Sequence, residues 1–440
     1  MMKRDRIGKD KGRPRGRAGT LTAFLIALPL LVLAACDSLL EVDLPGQVRA
    51  QDLNDPALAE VLVRSVQGDF DCALSHYVWA GDGLWGNTMY QTDNFSRGRL
   101  TQLRSLEVLI NDQDECDTFT FPQLYLPFQI ARVQGEQAVR LVGGFPEAEV
   151  ENRSFLLGKA HAYTGYAYQL LGETLCELVF DGGPVTTREA AMARAQAEFT
   201  AALGFVGNAA SGDARAIRNL ALVGRARAHL NLGNPSGVLE DAGQVDAGFV
   251  QYAEMDGGDE RRYNFTFDNV NRDQAASAIH PSYANLEVGG VPDPRVPTEL
   301  LDIQTFDNVS EPWIQHKYND LGDDIPFATW REAQLMIAEV SGGQTAVDII
   351  NNLRATVTDL PWVDEDPGLP AFASNDEAEI AAQVWEERRR EQFLQGTKIG
   401  DILRVDIPGV TTDDFETGVN QRGNQYGPNT CYPLPDQERL

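Results

Sequence analysis

The chain has 440 residues, 43% hydrophobic and 23% charged, a balance that suits a folded protein with a substantial core and not a disordered one. Sixty-five acidic side chains against 37 basic ones leave a net charge of −28. A surface that acidic repels phosphate backbones and anionic lipid, so no nucleic-acid partner is expected.

The N-terminus runs against this trend. Residues 1–35 carry eight Lys/Arg and two Asp/Glu, and "MMKRDRIGKDKGRPRGRAGT" is followed by the short apolar run "LTAFLIALPLLVL". A basic head, an apolar stretch and small residues before a cut site describe a secretory signal. The run is short for a transmembrane helix and contains Pro29. "LAAC" closes it at 33–36 and resembles the bacterial lipobox, in which the cysteine is acylated and becomes the mature N-terminus. Cys36 is therefore the expected lipid attachment and 36–58 an acidic tether. Export makes disulfides natural for the remaining cysteines, Cys72, Cys116, Cys176 and Cys431. Four cysteines allow three pairings and sequence cannot choose among them, although Cys72–Cys116 with Cys176–Cys431 is the favoured set.

Within 59–245 the first motif is "GDGLWG", Gly81 to Gly86, which satisfies G-x-G-x-x-G. A dinucleotide fold needs a strand before it, a packed helix after it and repeated βαβ units; "HYVWA" could be a short strand, but "NTMYQTDNFSRGR" does not read as a packed helix start and alternating strands are not legible elsewhere. The stretch reads instead as a glycine-rich loop carrying Trp79 and Trp85. Helical periodicity dominates from there. "QLYLPFQIARVQGEQAVRLVGG" (123–144) sets Leu126, Ile130, Val133 and Val139 on one stripe. "NRSFLLGKAHAYTGYAYQLLGETLCEL" (152–178), "TTREAAMARAQAEFTAALGFV" (186–206) and "DARAIRNLALVGRARAHLNLGNPSGVLEDAGQV" (213–245) interleave small residues with apolar ones and break at Gly-Asn-Pro. Small residues that let helices approach closely are similar to tetratricopeptide repeats, although the period is not strict. The fold class expected is mainly α, built of TPR-like helical hairpins with a long irregular, loop-rich insertion.

That insertion is 246–328, rich in Gly, Pro, Asn and Asp and without an amphipathic run of more than two turns. A long irregular segment in a helical scaffold commonly folds over the surface and carries function. Helical pattern resumes in 329–440, at "PFATWREAQLMIAEVSGGQTAVDIINNLRATV" (326–357) and again from about Asp376. The last helix holds three consecutive arginines in "WEERRREQFLQGTKIGDILR" (385–404). Helical spacing pairs Arg388 with Glu391 on an otherwise apolar stripe, pairs Glu386 with Arg390 on the solvated side, and puts Trp385 one turn from Arg389. Arginines bracketed by glutamates are architecture, not a nucleic-acid contact.

Catalytic and metal motifs are not legible. His76, His161, His229, His280 and His316 fall at no paired metal-ligand spacing. There is no G-x-S-x-G elbow or Walker loop, and "DGGDE" and "DEDPG" lack the EF-hand pattern, which leaves calcium unsupported. The chain is read as a binding protein without cofactor, not an enzyme.

The segment "EERRREQFLQGTKIGDILR" resembles the C-terminal signature of the SusD/RagB family of outer-membrane nutrient-binding lipoproteins, through Glu387, Arg388, Arg389, Glu391, Gly396, Asp401 and Arg404. "TWREAQLMIAEVSGGQTAVDIINNLRA" resembles a second family segment through Arg331, Leu335, Ala338, Glu339, Ala346, Asn352 and Arg354, and "CYPLPDQERL" resembles the family's close through Pro433, Pro435 and Glu438. Gln392, Gln395 and Lys398 depart from the signature conservatively. The resemblance implies a SusD-like α-α superhelix anchored by lipid in the cell outer membrane and exposed at the surface. It implies a partner, a TonB-dependent SusC-like β-barrel, to which a captured glycan or peptide is passed. Sugar capture calls for aromatic platforms with polar rims. The candidates are Trp79, Trp85 and Tyr90 with Asp82, Asn87 and Asp93, and Trp313 with Tyr318; Trp330, Trp362 and Trp385 are expected in the core. A TPR-like envelope scaffold without a ligand is the reading from another class.

Overall fold

The structure is a computed structural model that describes residues 52–105, 124–209, 211–272, 276–404, 418–435 and 438. The expected signal segment, Cys36, most of the tether and Cys116 lie outside these residues. The segments expected at 59–245, 246–328 and 329–440 fall within one unit, Asp55–Leu440.

The scaffold is a file of helices, each packed on the next. It begins with α1 (Ala59–His76), which continues directly into a π-helical run, Tyr77–Trp85. After β1 (Met89–Gln91) and the short α2 (Ser96–Gln102) come α3 (Leu126–Gly144), α4 (Arg153–Thr174), α5 (Arg188–Val206), α6 (Gly212–Asn231) and α7 (Pro235–Ala242). Past the irregular segment the file resumes with α9 (Trp330–Ser341), α10 (Gly343–Ala355), α11 (Glu377–Glu391) and α12 (Lys398–Arg404). Contacts run α1–α3–α4–α5–α6–α7, then α7–α9–α10–α11. Side-chain caps start several of these helices. Thr187 accepts from the Ala190 amide, Asn234 from Gly237, Thr329 from Glu332, and Asp376 from both Ala378 and Glu379.

Small residues set the helix spacing, and they correct one sequence expectation. In α3 the buried face is Phe128, Ala131, Gly135, Ala138 and Val142, whereas Val133 of the expected stripe is 43% exposed. The chain buries the small side chains because α4 comes so close: a Cβ on Gly135 would stand 2.1 Å from Thr164 Oγ1. The same device joins α5 to α6, where a Cβ on Gly224 would lie 2.3 Å from the Phe199 ring. Phe199 is fully buried and meets Tyr166 edge-on at 5.0 Å, so it has nowhere to retreat. Gly224→Ala is expected to cost about 1–3 kcal/mol by overpacking. Urea denaturation checks this, and an unchanged midpoint would show that the interface has slack.

The irregular segment is more than a surface cover. It holds β2 (Val250–Ala253), α8 (Phe265–Val270), β3 (Ser277–Ile279), β4 (Glu287–Val288), β5 (Val291–Pro292), β6 (Thr298–Leu300), β7 (Trp313–Gln315) and β8 (Ile325–Thr329). The strands pair antiparallel in twos, β1 with β3, β2 with β8, β4 with β5 and β6 with β7. Its ends reach the core. Phe327 of β8 packs on Phe70 at 5.0 Å and on Tyr166 at 5.1 Å, and Arg295 and Tyr318 are fully buried.

Arg295 organises the C-terminal helices. Its guanidinium reaches Asp293 (2.8 Å), Glu391 (3.1 Å) and Glu387, all buried. Glu391 of α11 is also gripped by Arg331 of α9 through two 2.7 Å bonds, and Glu387 by Arg354 of α10. Arg388 forks onto Asp401 of α12 at 2.6 and 3.0 Å, and Arg404 joins Asp401 to Glu339. Arginine and carboxylate thus alternate across four helices. This replaces the pairings expected within one helix: Arg388 pairs with Asp401 and not Glu391, because the facing helices bring stronger forked partners. Glu386 does bind Arg390, but Arg390 is buried and also bonds Asp293 at 2.9 Å. Arg389 stacks on Tyr283 at 4.9 Å in place of Trp385. Asn352 is exposed and joins the network only by chain connectivity, its carbonyl accepting from Thr356. Gly396 sits at φ +79°, where a side chain would be strained and would meet Tyr77 at 3.2 Å.

Candidate ligand face

The aromatic residues expected to meet a ligand divide by burial. "GDGLWG" is not a loop. Gly81 to Trp85 lie in the π-helical run, every residue of which is buried, and Gly86 caps it; the run packs against β1, α2, α8 and α12. Trp85 is fully buried, its Nε1 donating to the Thr430 carbonyl at 2.9 Å, and Trp79 is 8% exposed with Nε1 on Ser277 Oγ at 3.2 Å. Tyr318 is buried and donates to the Leu394 carbonyl at 2.7 Å. None of these three offers a ring face to a ligand, and they are corrected to core residues. Trp385 is buried as expected, while Trp330 and Trp362 are half-buried.

The polar rim expected around them is internal too. Asp82 accepts from the Thr397 and Lys398 amides at 2.9 Å each and so caps the start of α12. Burial pushes its carboxyl up to about 7, against those amides and the Lys398 charge. Asn87 accepts from Arg104 at 2.6 Å. Asp93 binds the Gln91 side chain and the Phe95 amide.

Tyr90 and Trp313 remain at the surface and belong to one neighbourhood. β1 pairs with β3, placing Tyr90 opposite Ala278, and β3 lies against β7, which begins at Trp313. Tyr90 is half-buried, edge-on to His280 at 4.5 Å. Trp313 is half-buried with Nε1 donating to Glu311 at 3.0 Å.

Sequence reasoning missed two more aromatics here. "TDNF" (92–95) and "TFDN" (305–308) are both tight Asp turns. Asp93 Oδ1 accepts from the Phe95 amide at 2.9 Å, and Asp307 Oδ1 from the Val309 and Ser310 amides at 3.0 and 2.9 Å. Arg422 clasps the two turns. Its Nε donates to Asp307 at 3.1 Å, and Nη2 donates to the Asp93 carbonyl at 2.8 Å and to that of Thr92. Burial opposes charge on Asp307, but Ser310, Val309 and Thr305 outweigh it and hold the carboxyl at about 2. The clasp therefore stays charged through the neutral range. In and beside the two clasped turns Phe95 is 60%, Phe306 44% and Val309 60% exposed, and Asn94, Asn308 and Glu311 are exposed too. The signal that could have found them was an aromatic beside an Asp-Asn turn.

The structure joins Cys176 to Cys431 by a disulfide. Cys72 is also disulfide-bonded, and its expected partner Cys116 lies outside the described residues. No helix among the described residues is long and apolar enough to cross a membrane.

No family model and no curated protein matches the chain. Solved structures do. A SusD homolog from Bacteroides thetaiotaomicron superposes with a TM-score of 0.62 at 11% identity, covering 89% of this chain and 97% of that one. A laminarin-binding SusD-like protein gives 0.62 at 14% identity, covering 88% and 97%. Surface glycan-binding protein A from Bacteroides fluxus gives 0.59 at 13%, covering 86% and 95%. The fold is SusD-like.

Proposed function

We propose that this chain is a SusD/RagB-family lipoprotein that captures a neutral glycan at the outer-membrane surface and passes it to a TonB-dependent SusC-like barrel. The observation that carries the binding step is the Arg422 clasp, which ties together the turns that expose Phe95 and Phe306; the first turn follows β1, which carries Tyr90, and the second precedes β7, which begins at Trp313. Exposed rings suit the apolar C–H faces of sugars, and the neighbouring amides and carboxylates suit the hydroxyls. The likeness in fold to a laminarin-binding protein and a surface glycan-binding protein supports the ligand class. The acidic composition favours neutral over anionic polysaccharides. Capture and release are binding steps, without bonds made or broken.

Native affinity electrophoresis against laminarin and other neutral glucans tests this. Phe95→Ala/Phe306→Ala should weaken binding about fivefold or more, since each stacked ring contributes about 0.5–1.5 kcal/mol. Both rings are exposed, so folding should be unaffected. Undiminished retardation after Trp313→Ala is added would sink the face. The delivery step is tested by pull-down of the acylated protein from native membranes. A stoichiometric large barrel supports it, whereas envelope assembly proteins alone would return the scaffold reading. Binding of peptides and not glucans at the same face would move the ligand to the peptide class.

A further inference from the structure

A groove lies between the β2–β8 pair, the start of α9 and the chain past α10, and it shares no lining residue with the ligand face. Four half-buried aromatic side chains line it, Phe249, Tyr252, Trp330 and Trp362. Trp362 is a fixed wall: Lys317 Nζ covers its ring at 4.3 Å, and its Nε1 donates to the Pro294 carbonyl at 3.2 Å. The hollow measures about 40 Å³, room for about three waters at roughly 10–15 Å³ each. Gln395 lines it too and is 6% exposed. Gln395 Nε2 donates to the Glu391 carbonyl at 3.0 Å, which fixes Oε1 as the other end of the amide. That oxygen, Trp330 Nε1 and the Tyr252 hydroxyl have no partner among the described residues, yet none of the three is sealed from water, whereas Nε2 of neighbouring Gln392 is. For a side chain buried as deeply as Gln395, the groove it lines is where its free oxygen opens. Gln392 and Gln395 are two of the three positions at which the chain departs from the family signature, and both line this groove.

The neighbouring charges restrict the occupant. Arg331 is committed to Glu391, Leu353 and Thr356, and Glu332 to Arg227. Asp359 is exposed at the rim. An anion would meet Glu332 and Asp359 with no unpaired cation among the described lining residues to offset them. An ammonium group would suit the rings, but it offers Trp330 no acceptor and stands near Arg331 and Lys317. A purely apolar molecule would strip water from three polar ends and replace none of it. A neutral ring with adjacent hydroxyls donates and accepts at its edge and presents C–H groups on its face, and a sugar has this form.

We infer that this groove is a second glycan site, seating one neutral sugar ring by its edge: its hydroxyls accept from Trp330 Nε1, donate to Gln395 Oε1 and bond the Tyr252 hydroxyl, while its C–H face packs on the aromatic walls. The sugar class stands on the groove's own donors and acceptors and does not rest on the proposed ligand face. A polysaccharide that engages both sites is held by avidity, which a single sugar unit is not.

Saturation-transfer NMR on the full chain tests the site, with the methyl glycosides of glucose, galactose, mannose and xylose as probes and cyclohexanol and choline as controls. In the Phe95→Ala/Phe306→Ala variant at least one glycoside should still receive transfer, about threefold or more above either control. Adding Tyr252→Phe/Trp330→Phe, which removes two polar ends and keeps aromatic rings, should cut that transfer about fivefold or more in a protein that still melts cooperatively. Asp359→Trp, which obstructs the groove from its exposed rim, is the second variant should the first fold poorly. Transfer that survives in a folded groove variant, equal transfer to cyclohexanol or choline, or no transfer to any glycoside would overturn the inference. Transfer lost with Phe95 and Phe306 alone would overturn it and leave the ligand face standing. Transfer that depends on the groove, in a chain whose retardation by glucans ignores Phe95 and Phe306, would remove the ligand face and leave the groove.

Discussion

Glu391→Ala is expected to destabilise the protein by about 3–5 kcal/mol, the cost of breaking a buried ion pair from one side. Glu391 is 3% exposed and serves two buried guanidiniums, Arg331 through paired bonds and Arg295 through one. Removing it strands charge that water cannot reach. The loss is to the variant, and does not measure the net worth of the network: an apolar set of similar shape could be as stable. A cycle of Glu391→Met, Arg331→Met and the double variant separates the two, since the double variant should recover part of what each single one loses. Burial works against the Glu391 charge, but Arg331 and Arg295 hold its carboxyl below the usual range. A carboxyl depressed in the folded state contributes stability above its unfolded value, near 4.3, and loses it as pH falls toward the folded value. The gap between wild type and Glu391→Gln should therefore narrow below about pH 4. Denaturation midpoints across pH check both statements. A Glu391→Ala variant within about 0.5 kcal/mol of wild type would mean the four helices are held by packing alone.

The network also marks where sequence stops being informative. That the arginines are architecture could be read from the bracketing glutamates, but their partners could not. Arg331 and Glu391 stand 60 residues apart and Arg354 and Glu387 33 apart, so only the superposition of helices selects them. Helical spacing offers nearer partners, and these lose to forked geometry across an interface. The hairpins were legible because Gly135, Gly165 and Gly224 fall where neighbouring helices must touch. Which face of α3 is buried was not, because summing apolar residues favours Val133, whereas close approach favours glycine and alanine. "GDGLWG" misled in the other direction. Its glycines suggest a loop, but one at Gly81 makes room for the Tyr77 ring and one at Gly86 for the Asp82 carbonyl within a buried helical run. At the ligand face, Tyr90 and Trp313 were legible as aromatics in irregular chain. Phe95 and Phe306 become visible only once Arg422, more than a hundred residues further on, ties their turns together.

A second large effect is expected at the disulfide. Cys176, just past α4, is bonded to Cys431 across 255 residues. In the chain-entropy picture a crosslink spanning a loop of that length stabilises by about 5 kcal/mol, with measured values for native disulfides of about 2–5. The local structure suits the tie. Tyr432 donates its amide to the Thr174 carbonyl at 2.8 Å, the Cys176 amide donates to the Tyr432 carbonyl at 2.9 Å, and the Tyr432 ring meets buried Trp85 at 5.4 Å. These contacts alone dock a few residues of chain. Without the crosslink they are helped upstream only by single hydrogen bonds, Trp85 Nε1 to the Thr430 carbonyl, Asn429 to the Arg104 carbonyl and the Gly427 amide to the Leu103 carbonyl, and by the Arg422 clasp, against the entropy of the segment. Cys176→Ala/Cys431→Ala should lower stability by about 3–5 kcal/mol under oxidising conditions, and it should expose Trp85, read as a red shift in tryptophan emission. The same release should loosen Arg422 and weaken glucan binding more than the Gly224→Ala change does at equal loss of stability. A double variant with wild-type stability, emission and glucan binding would show that the C-terminal segment is held by its packing and that the disulfide follows from that docking without securing it.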